Sequence, residues 1–274
     1  MKDKNAILRH TDKSVLVSGH YKTDEKLVLR KEYNKFFEPK TDIVKDIIEF
    51  LFSRSPKSAL DVGCGNGDFL IKLRKAGFKG KLTGLEISRG MLEPGIKQNS
   101  EENLGIDFII GDAEELPFDD NSFDVIIAKH MLYHLPNIQK GVDEMYRCLK
   151  KGGALVITLN GENNNPFLHE CEKMICKKYK FKTLHGKDMI NTESTPKYLA
   201  KFSSHSTKIY FGRMNRPDLF AGYFGTFIDN YSPQPSKEQW TKILQDVKEY
   251  VQNKLKEIGA FNEERYTGLI IAKK

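Results

Sequence analysis

The stretch Leu60-Asp61-Val62-Gly63-Cys64-Gly65-Asn66-Gly67 decides the fold. A short run, Ser58-Ala59-Leu60, leads into an acid, and three glycines follow at a spacing of two. Asp68-Phe69-Leu70-Ile71-Lys72-Leu73 continues at once with helical character. The pattern predicts a buried strand, a tight glycine turn and a helix. Such a turn lets a ligand lie against bare backbone, because glycine has no Cβ to exclude it. A dinucleotide site needs G-x-G-x-x-G with a diphosphate on the helix N-terminus. Here the third glycine comes one residue early, and a carboxylate, Asp61, stands where it would repel a diphosphate. It suits a ligand bearing an ammonium group. No Gly-Lys-Ser/Thr follows, so the P-loop is excluded as well.

Working outward, the chain alternates strand and helix from residue 59 on. Strands are predicted at 58–62, 81–86, 106–110, 123–128 and 153–159, and helices at 67–76, 89–98 and 138–149. Gly152-Gly153 reads as the turn before the last of these strands. This rhythm is that of a parallel α/β sheet covered by helices on both faces. Upstream, Ile43, Val44, Ile47, Ile48 and Leu51 mark a helix within 41–52. After residue 160 the rhythm breaks. Helices are expected at 166–179, 195–202 and about 236–258, and strands at 206–211 and 266–272. An aromatic-rich stretch (Phe220, Tyr223, Phe224, Phe227, Tyr231) reads as part of a lid.

Composition narrows the class. The 274 residues carry a net charge of +7, unevenly spread. The segment 59–160 has 12 basic and 15 acidic residues, the 58 before it have 13 and 9, and the 114 after it have 19 and 13. A mildly acidic centre suits a cationic ligand, and basic flanks suit an anionic substrate or nucleic acid. No apolar run has the ~18 residues a membrane helix needs. The four cysteines (Cys64, Cys148, Cys171, Cys176) form no C-x-x-C pair, so no metal is expected. The resulting expectation is a soluble, cytoplasmic protein.

Two further acids stand at predicted strand ends. Glu86 closes Lys81-Leu82-Thr83-Gly84-Leu85-Glu86, 19 residues beyond Gly67, where two carboxylate oxygens match a ribose diol. Gly111-Asp112-Ala113-Glu114-Glu115-Leu116-Pro117-Phe118 follows the third strand, where an aspartate also makes an Asx turn unaided. The fourth strand runs into Lys129-His130-Met131-Leu132-Tyr133-His134-Leu135. A histidine of near-neutral pKa in such a place removes a proton from an acceptor, or simply packs and hydrogen-bonds.

With these residues the chain resembles the class I S-adenosylmethionine-dependent methyltransferases, in their small-molecule branch with the ubiquinone and menaquinone C-methyltransferases. The acid before G-x-G-x-G, the G-D-A-x-x-L-P-F segment and the L-Y-H-L variant of an L-H-H-L-like sequence carry the likeness. The resemblance implies a Rossmann-like seven-stranded, mostly parallel sheet with a C-terminal antiparallel hairpin (206–211 with 266–272) and a helical cap. It implies S-adenosylmethionine as cofactor. Asp61, Gly63, Cys64, Gly65 and Gly67 would hold the methionine end, Glu86 with Ile87 the ribose, and Asp112 with Ala113 the adenine. The Lys129 carbonyl would meet the amino group, and Arg30 the carboxylate. His134 and His130 are the candidate bases, and Tyr21 and Tyr33 candidates for closing the site. The expected division is an N-terminal covering segment (1–57), a cofactor core (58–160) and a completion of the sheet with cap insertions (161–274). The expected partner is a small-molecule acceptor, for which the basic flanks favour an anion. Methylation of RNA, and cofactor binding without catalysis, are the competing readings.

Overall fold

Ser58–Val62 (β1) is buried at all five positions, as a strand with neighbours on both edges and layers on both faces must be. The computed structural model describes residues 11, 13, 17, 22–183 and 189–274, and Tyr21 lies outside them. Glu25–Asn34 (α1) and Ile43–Arg54 (α2) precede β1. Then come Asp68–Lys75 (α3), Lys81–Glu86 (β2), Arg89–Glu101 (α4), Ile106–Ile110 (β3), Phe123–Lys129 (β4), Ile138–Cys148 (α5) and Leu149–Asn160 (β5). The remainder comprises Pro166–Tyr179 (α6), Lys182–Thr183 (β6), Ser204–Met214 (β7), Pro217–Gly225 (α7), Tyr231–Ser232 (β8), Lys237–Ile258 (α8) and Glu263–Lys273 (β9).

Seven strands form one sheet in the order β3-β2-β1-β4-β5-β9-β7. The pairs among β1 to β5 are parallel, while β9 runs antiparallel to both β5 and β7. The expected mostly parallel sheet and antiparallel hairpin are therefore present. Strand order reverses between β1 and β4, and ligands of open α/β sheets bind outside the carboxyl ends of strands at such a point.

Two local expectations are corrected. Gly152-Gly153 is not a turn before the strand but lies inside β5, which begins at Leu149. Leu149 pairs with Phe123 and Ala154 with Val125, so the glycines sit in a register shift that lets the strand start early. The helix expected at 195–202 is only a 3₁₀ turn, Thr195–Tyr198. Its chain then bends at Ser203, whose N–H donates to Lys273 O, into β7.

The hairpin strands overhang the sheet. The β5–β9 ladder ends where Asn160 faces Thr267, but β9 begins four residues earlier, at Glu263, still paired with β7. Against this overhang α6, α7, α8 and the β6–β8 pair build a second apolar cluster, which includes Phe220, Tyr223, Phe224, Tyr231, Trp240 and Phe261. Helix α8 contributes Trp240, Ile243, Val247 and Val251, one face at i, i+3, i+4 spacing. A reciprocal Ser236–Gln239 capping box starts it, and Gly259, at φ 70°, ends it.

Candidate active site

The glycine turn follows from two constraints. Gly63 and Gly67 have φ of 68° and 71°, a region costly to any residue with a Cβ. Space excludes a side chain as well: a Cβ on Gly63 would stand 2.9 Å from Met131 Cβ, and one on Gly67 2.6 Å from Phe108 Cζ. The N–H groups of Gly63 and Cys64 both donate to Leu85 O, at 2.7 and 3.0 Å, which ties the turn to β2. The Cys64 thiol is buried, and burial with the charges of Asp61 and Glu86 pushes its pKa well up, so only its backbone is available for binding.

Four adjacent strands deliver the expected residues to one edge. Asp61 is 1% exposed, and its Oδ1 has no hydrogen-bond partner. Burial raises its pKa to about 6; Lys129 opposes that shift and Glu86 adds to it. Glu86, at the end of β2, accepts from Gly65 N at 3.0 Å through Oε2 and from Ser88 N at 3.0 Å through Oε1. Burial raises its pKa in spite of these bonds. Each carboxylate oxygen has two acceptor sites, so the backbone bonds orient Glu86 without exhausting it.

Asp112, beyond β3, forms the Asx turn: its Oδ1 accepts from Glu114 N at 2.9 Å. Its other oxygen pairs with Lys13, which also reaches Glu114 Oε2 at 2.8 Å. Lys13 and the backbone bond hold the Asp112 carboxyl below its usual range in spite of desolvation. Ala113 is buried in the main core.

Beyond β4, the half-buried Lys129 places its Nζ 4.0 Å above the Phe69 ring. Burial lowers its pKa, and the charge of Asp61 opposes that shift. The sequence pointed to its backbone only; the cationic side chain beside Asp61 is new. His130 has φ 50°, donates its N–H to Thr158 O at 2.8 Å, and is pushed down to about 4 by burial and the charges of Lys129 and Arg265. It is neutral at pH 7. His134 ends the 3₁₀ turn Leu132–His134, with its ring 4.4 Å from that of Tyr133.

Helix α1 lies across the glycine turn. Asn66 Nδ2 donates to Asp24 at 2.9 Å, Lys31 pairs with Asp68 at 3.0 Å, and the Leu27 side chain stands over Gly65. Arg30 points elsewhere. Its Nη2 donates to Thr226 O at 3.1 Å, and its guanidinium lies 5.0 Å from the Phe227 ring. Tyr33 packs on Tyr223, ring centres 5.8 Å apart. The aromatics expected to pack a lid are packed together in the second apolar cluster, where Phe220, Tyr223, Phe224 and Tyr231 are all buried. Arg265 and Glu263 also gather near Tyr223, and no motif announces them.

An orphaned, buried acid at the turn and a second acid clamped to its backbone fit a ligand with an ammonium group and a diol. Residues 60–157 match a family model described as a methyltransferase domain. The chain is similar to the demethylmenaquinone methyltransferase of Staphylococcus aureus, 38% identical over 138 residues, which are 50% of this chain and 56% of that protein. It thus spans about half the length of that curated relative. Among solved structures it is similar to the YcgJ protein of Bacillus subtilis (TM-score 0.59, 16% identity, 84% of this chain and 97% of that one). It is also similar to phosphoethanolamine N-methyltransferase 2 of Haemonchus contortus in complex with S-adenosyl-L-methionine (TM-score 0.52, 18% identity, 84% and 52%). At such identities these structures speak to the fold.

Proposed function

We infer that this chain, whose core is that of a class I S-adenosylmethionine-dependent methyltransferase resembling the ubiquinone and menaquinone group, transfers a methyl group from adenosylmethionine to a small-molecule acceptor. One observation carries the reading: Asp61 keeps an unpaired buried oxygen in the glycine turn, beside a Glu86 already oriented by the turn's backbone. Asp61 would take the cofactor's ammonium, with Gly63, Cys64, Gly65 and Gly67 lining the methionine end. Glu86 and Ile87 would hold the ribose, Asp112 and Ala113 the adenine, and the Lys129 carbonyl the amino group. In this division residues 58–160 hold the cofactor, while 1–57 and 161–274 cover it and read the acceptor.

The bound cofactor supplies a methyl group already activated by its sulfonium. The protein's share is alignment and the exclusion of water. His130 and His134 would be the groups to accept an acceptor's proton. His130, held neutral, is in its accepting form at pH 7. The Staphylococcus relative is named for demethylmenaquinone, but its match covers only half of this chain, so that acceptor is not carried over. RNA methylation and non-catalytic binding are not favoured, since the matched family and relatives are methyltransferases. No helix among the described residues is long and apolar enough to cross a membrane.

The test is a calorimetric titration with adenosylmethionine and adenosylhomocysteine, followed by transfer of labelled methyl into a metabolite extract. Saturable binding of both and a labelled small molecule are expected. No binding of either ligand would overturn the reading.

A further inference from the structure

The seam between α1, α7 and the overhanging start of β9 holds two guanidinium groups with no counter-charge. Arg265, on the overhang, donates to Asn34 Oδ1 at 2.5 Å, its guanidinium carbon lies 4.1 Å from the Phe37 ring centre, and its charge acts on the buried Tyr223 hydroxyl. Arg30, across the seam, contacts Thr226 O and Phe227, and its Nε is buried without a partner. The Tyr223 ring lies 5.3 Å from Phe227 and 6.3 Å from Phe37, so it stands between the two arginines and is itself buried.

Neutralisation is the rule nearby. Arg213 pairs with Glu264 at 2.7 Å, Arg216 with Asp218 at 2.6 Å, and Lys26 with Asp229. Among the described residues no carboxylate lies within ion-pair distance of Arg265 or Arg30. Glu263, two residues earlier on β9, accepts from Leu168 N at the start of α6 through Oε2, at 3.2 Å, while its Oε1 is buried without a hydrogen-bond partner. Burial raises the Glu263 pKa to about 8, so at neutral pH it is mostly uncharged and does not balance Arg265. Two half-buried guanidinium groups kept beside a buried phenol and apart from carboxylates form a binding wall for an oxyanion. The wall adjoins the glycine turn through α1, for Arg30 lies one turn along that helix from Leu27, whose side chain stands over Gly65.

We propose that Arg265, with Tyr223 and Arg30, holds a carboxylate or phosphate group of the methyl acceptor. The inference rests on the methyltransferase reading and deepens it. It moves Arg30 from the cofactor's carboxylate to the acceptor's anion, and it favours an acid-bearing acceptor over an uncharged quinone precursor.

The test uses the full chain saturated with adenosylhomocysteine and titrated with inorganic phosphate or with acetate at constant ionic strength, read by calorimetry. Saturable binding of at least one probe is expected, and the probe that binds more tightly identifies the group. Arg265→Gln should weaken it at least about tenfold, the scale of one lost charged hydrogen bond. Arg265→Lys should retain part of the affinity, since it keeps the charge but not the fork. Arg216→Gln, at an already neutralised surface site, should change nothing. An unchanged affinity for adenosylhomocysteine in Arg265→Gln certifies the fold. Binding of adenosylhomocysteine without either anion, or an equal loss in Arg216→Gln, overturns this inference alone. Failure of adenosylhomocysteine to bind overturns the methyltransferase reading and this one with it.

Discussion

The glycine-turn half and the aromatic-cap half each bury a carboxylate whose pKa burial has raised, and they use it in opposite ways. Asp61 ends a central strand, at about 6, with one oxygen unpartnered and a lysine ammonium in its field. Glu263 begins an overhanging strand, at about 8, and accepts the N–H of Leu168 at the first turn of α6 through Oε2, while its Oε1 is buried without a partner. Glu263 therefore satisfies a helix end that burial would otherwise leave open. Asp61 accepts no hydrogen bond at its buried Oδ1 and has only the charge of Lys129 to set against its own. A buried acid kept without a hydrogen-bond donor costs the fold stability, and the natural account is a ligand that supplies the donor.

The sharpest way to break this contrast is Asp61→Asn. The amide keeps the shape and removes the charge. Affinity for adenosylmethionine should fall by about a hundredfold, the value of a buried charge-assisted bond. The empty protein should become more stable at pH 7 to 8. The folded pKa of about 6 exceeds the ordinary 3.8, so the stabilising protonated form is lost as pH rises through 6, and Asn removes that loss. In the parent, cofactor affinity should decline as pH falls below about 6. Calorimetry and thermal melts of the two proteins decide it. Intact binding, or a melt lowered at pH 8, would put Asp61 with Glu263 as a structural acid.

The two halves also differ in how well the sequence announces them. In the cradle, function is written in local order: Gly63 and Gly67 are forced by backbone sign and by Met131 and Phe108, and Asp61, Glu86 and Asp112 sit at ends of strands whose apolar runs are visible. The strands β1, β2 and β3 fall where the spacing put them. The cap obeys long-range packing instead. Arg265 meets Asn34 and Tyr223 from three distant segments, and no spacing encodes that encounter. The aromatic stretch at 220–231 showed apolarity but not direction, and its rings pack together in the second apolar cluster. The Lys129 side chain was missed because a lysine at the end of a buried strand reads as leaving the sheet for solvent. Here Phe69 and Asp61 retain it.

A second, smaller effect sharpens the contrast from the cap side. Glu263→Gln can still accept from Leu168 N but cannot ionise. For the parent, the folded pKa of about 8 lies above the ordinary 4.5, so the acid's contribution to stability is full below 4.5 and lost as pH rises through 8. The variant should therefore resist alkali better, melting about 3–6 °C above the parent at pH 9 and closer to it at pH 6. Adenosylhomocysteine affinity should not move. A binding loss in this variant would mean that the cap's acid also faces ligand.

The smallest effect tests the acid of the cradle that pairs with a lysine of the chain itself. Lys13 pairs with Asp112 and Glu114, and its side chain and that of Asp112 are 32% and 34% exposed. An adenine amino group bound to Asp112 would displace this ammonium, so Lys13→Ala should tighten adenosylmethionine about two- to fivefold, as befits a pair worth less than about 1 kcal/mol. Salt screens such a pair, so the gap between parent and variant should narrow between 0.05 and 0.5 M sodium chloride, roughly a threefold change in screening length. Weaker binding in Lys13→Ala would reverse the assignment: the lysine would then close over the bound nucleoside, and the cradle would hold Asp61 and Glu86, without Asp112, as its acids for ligand.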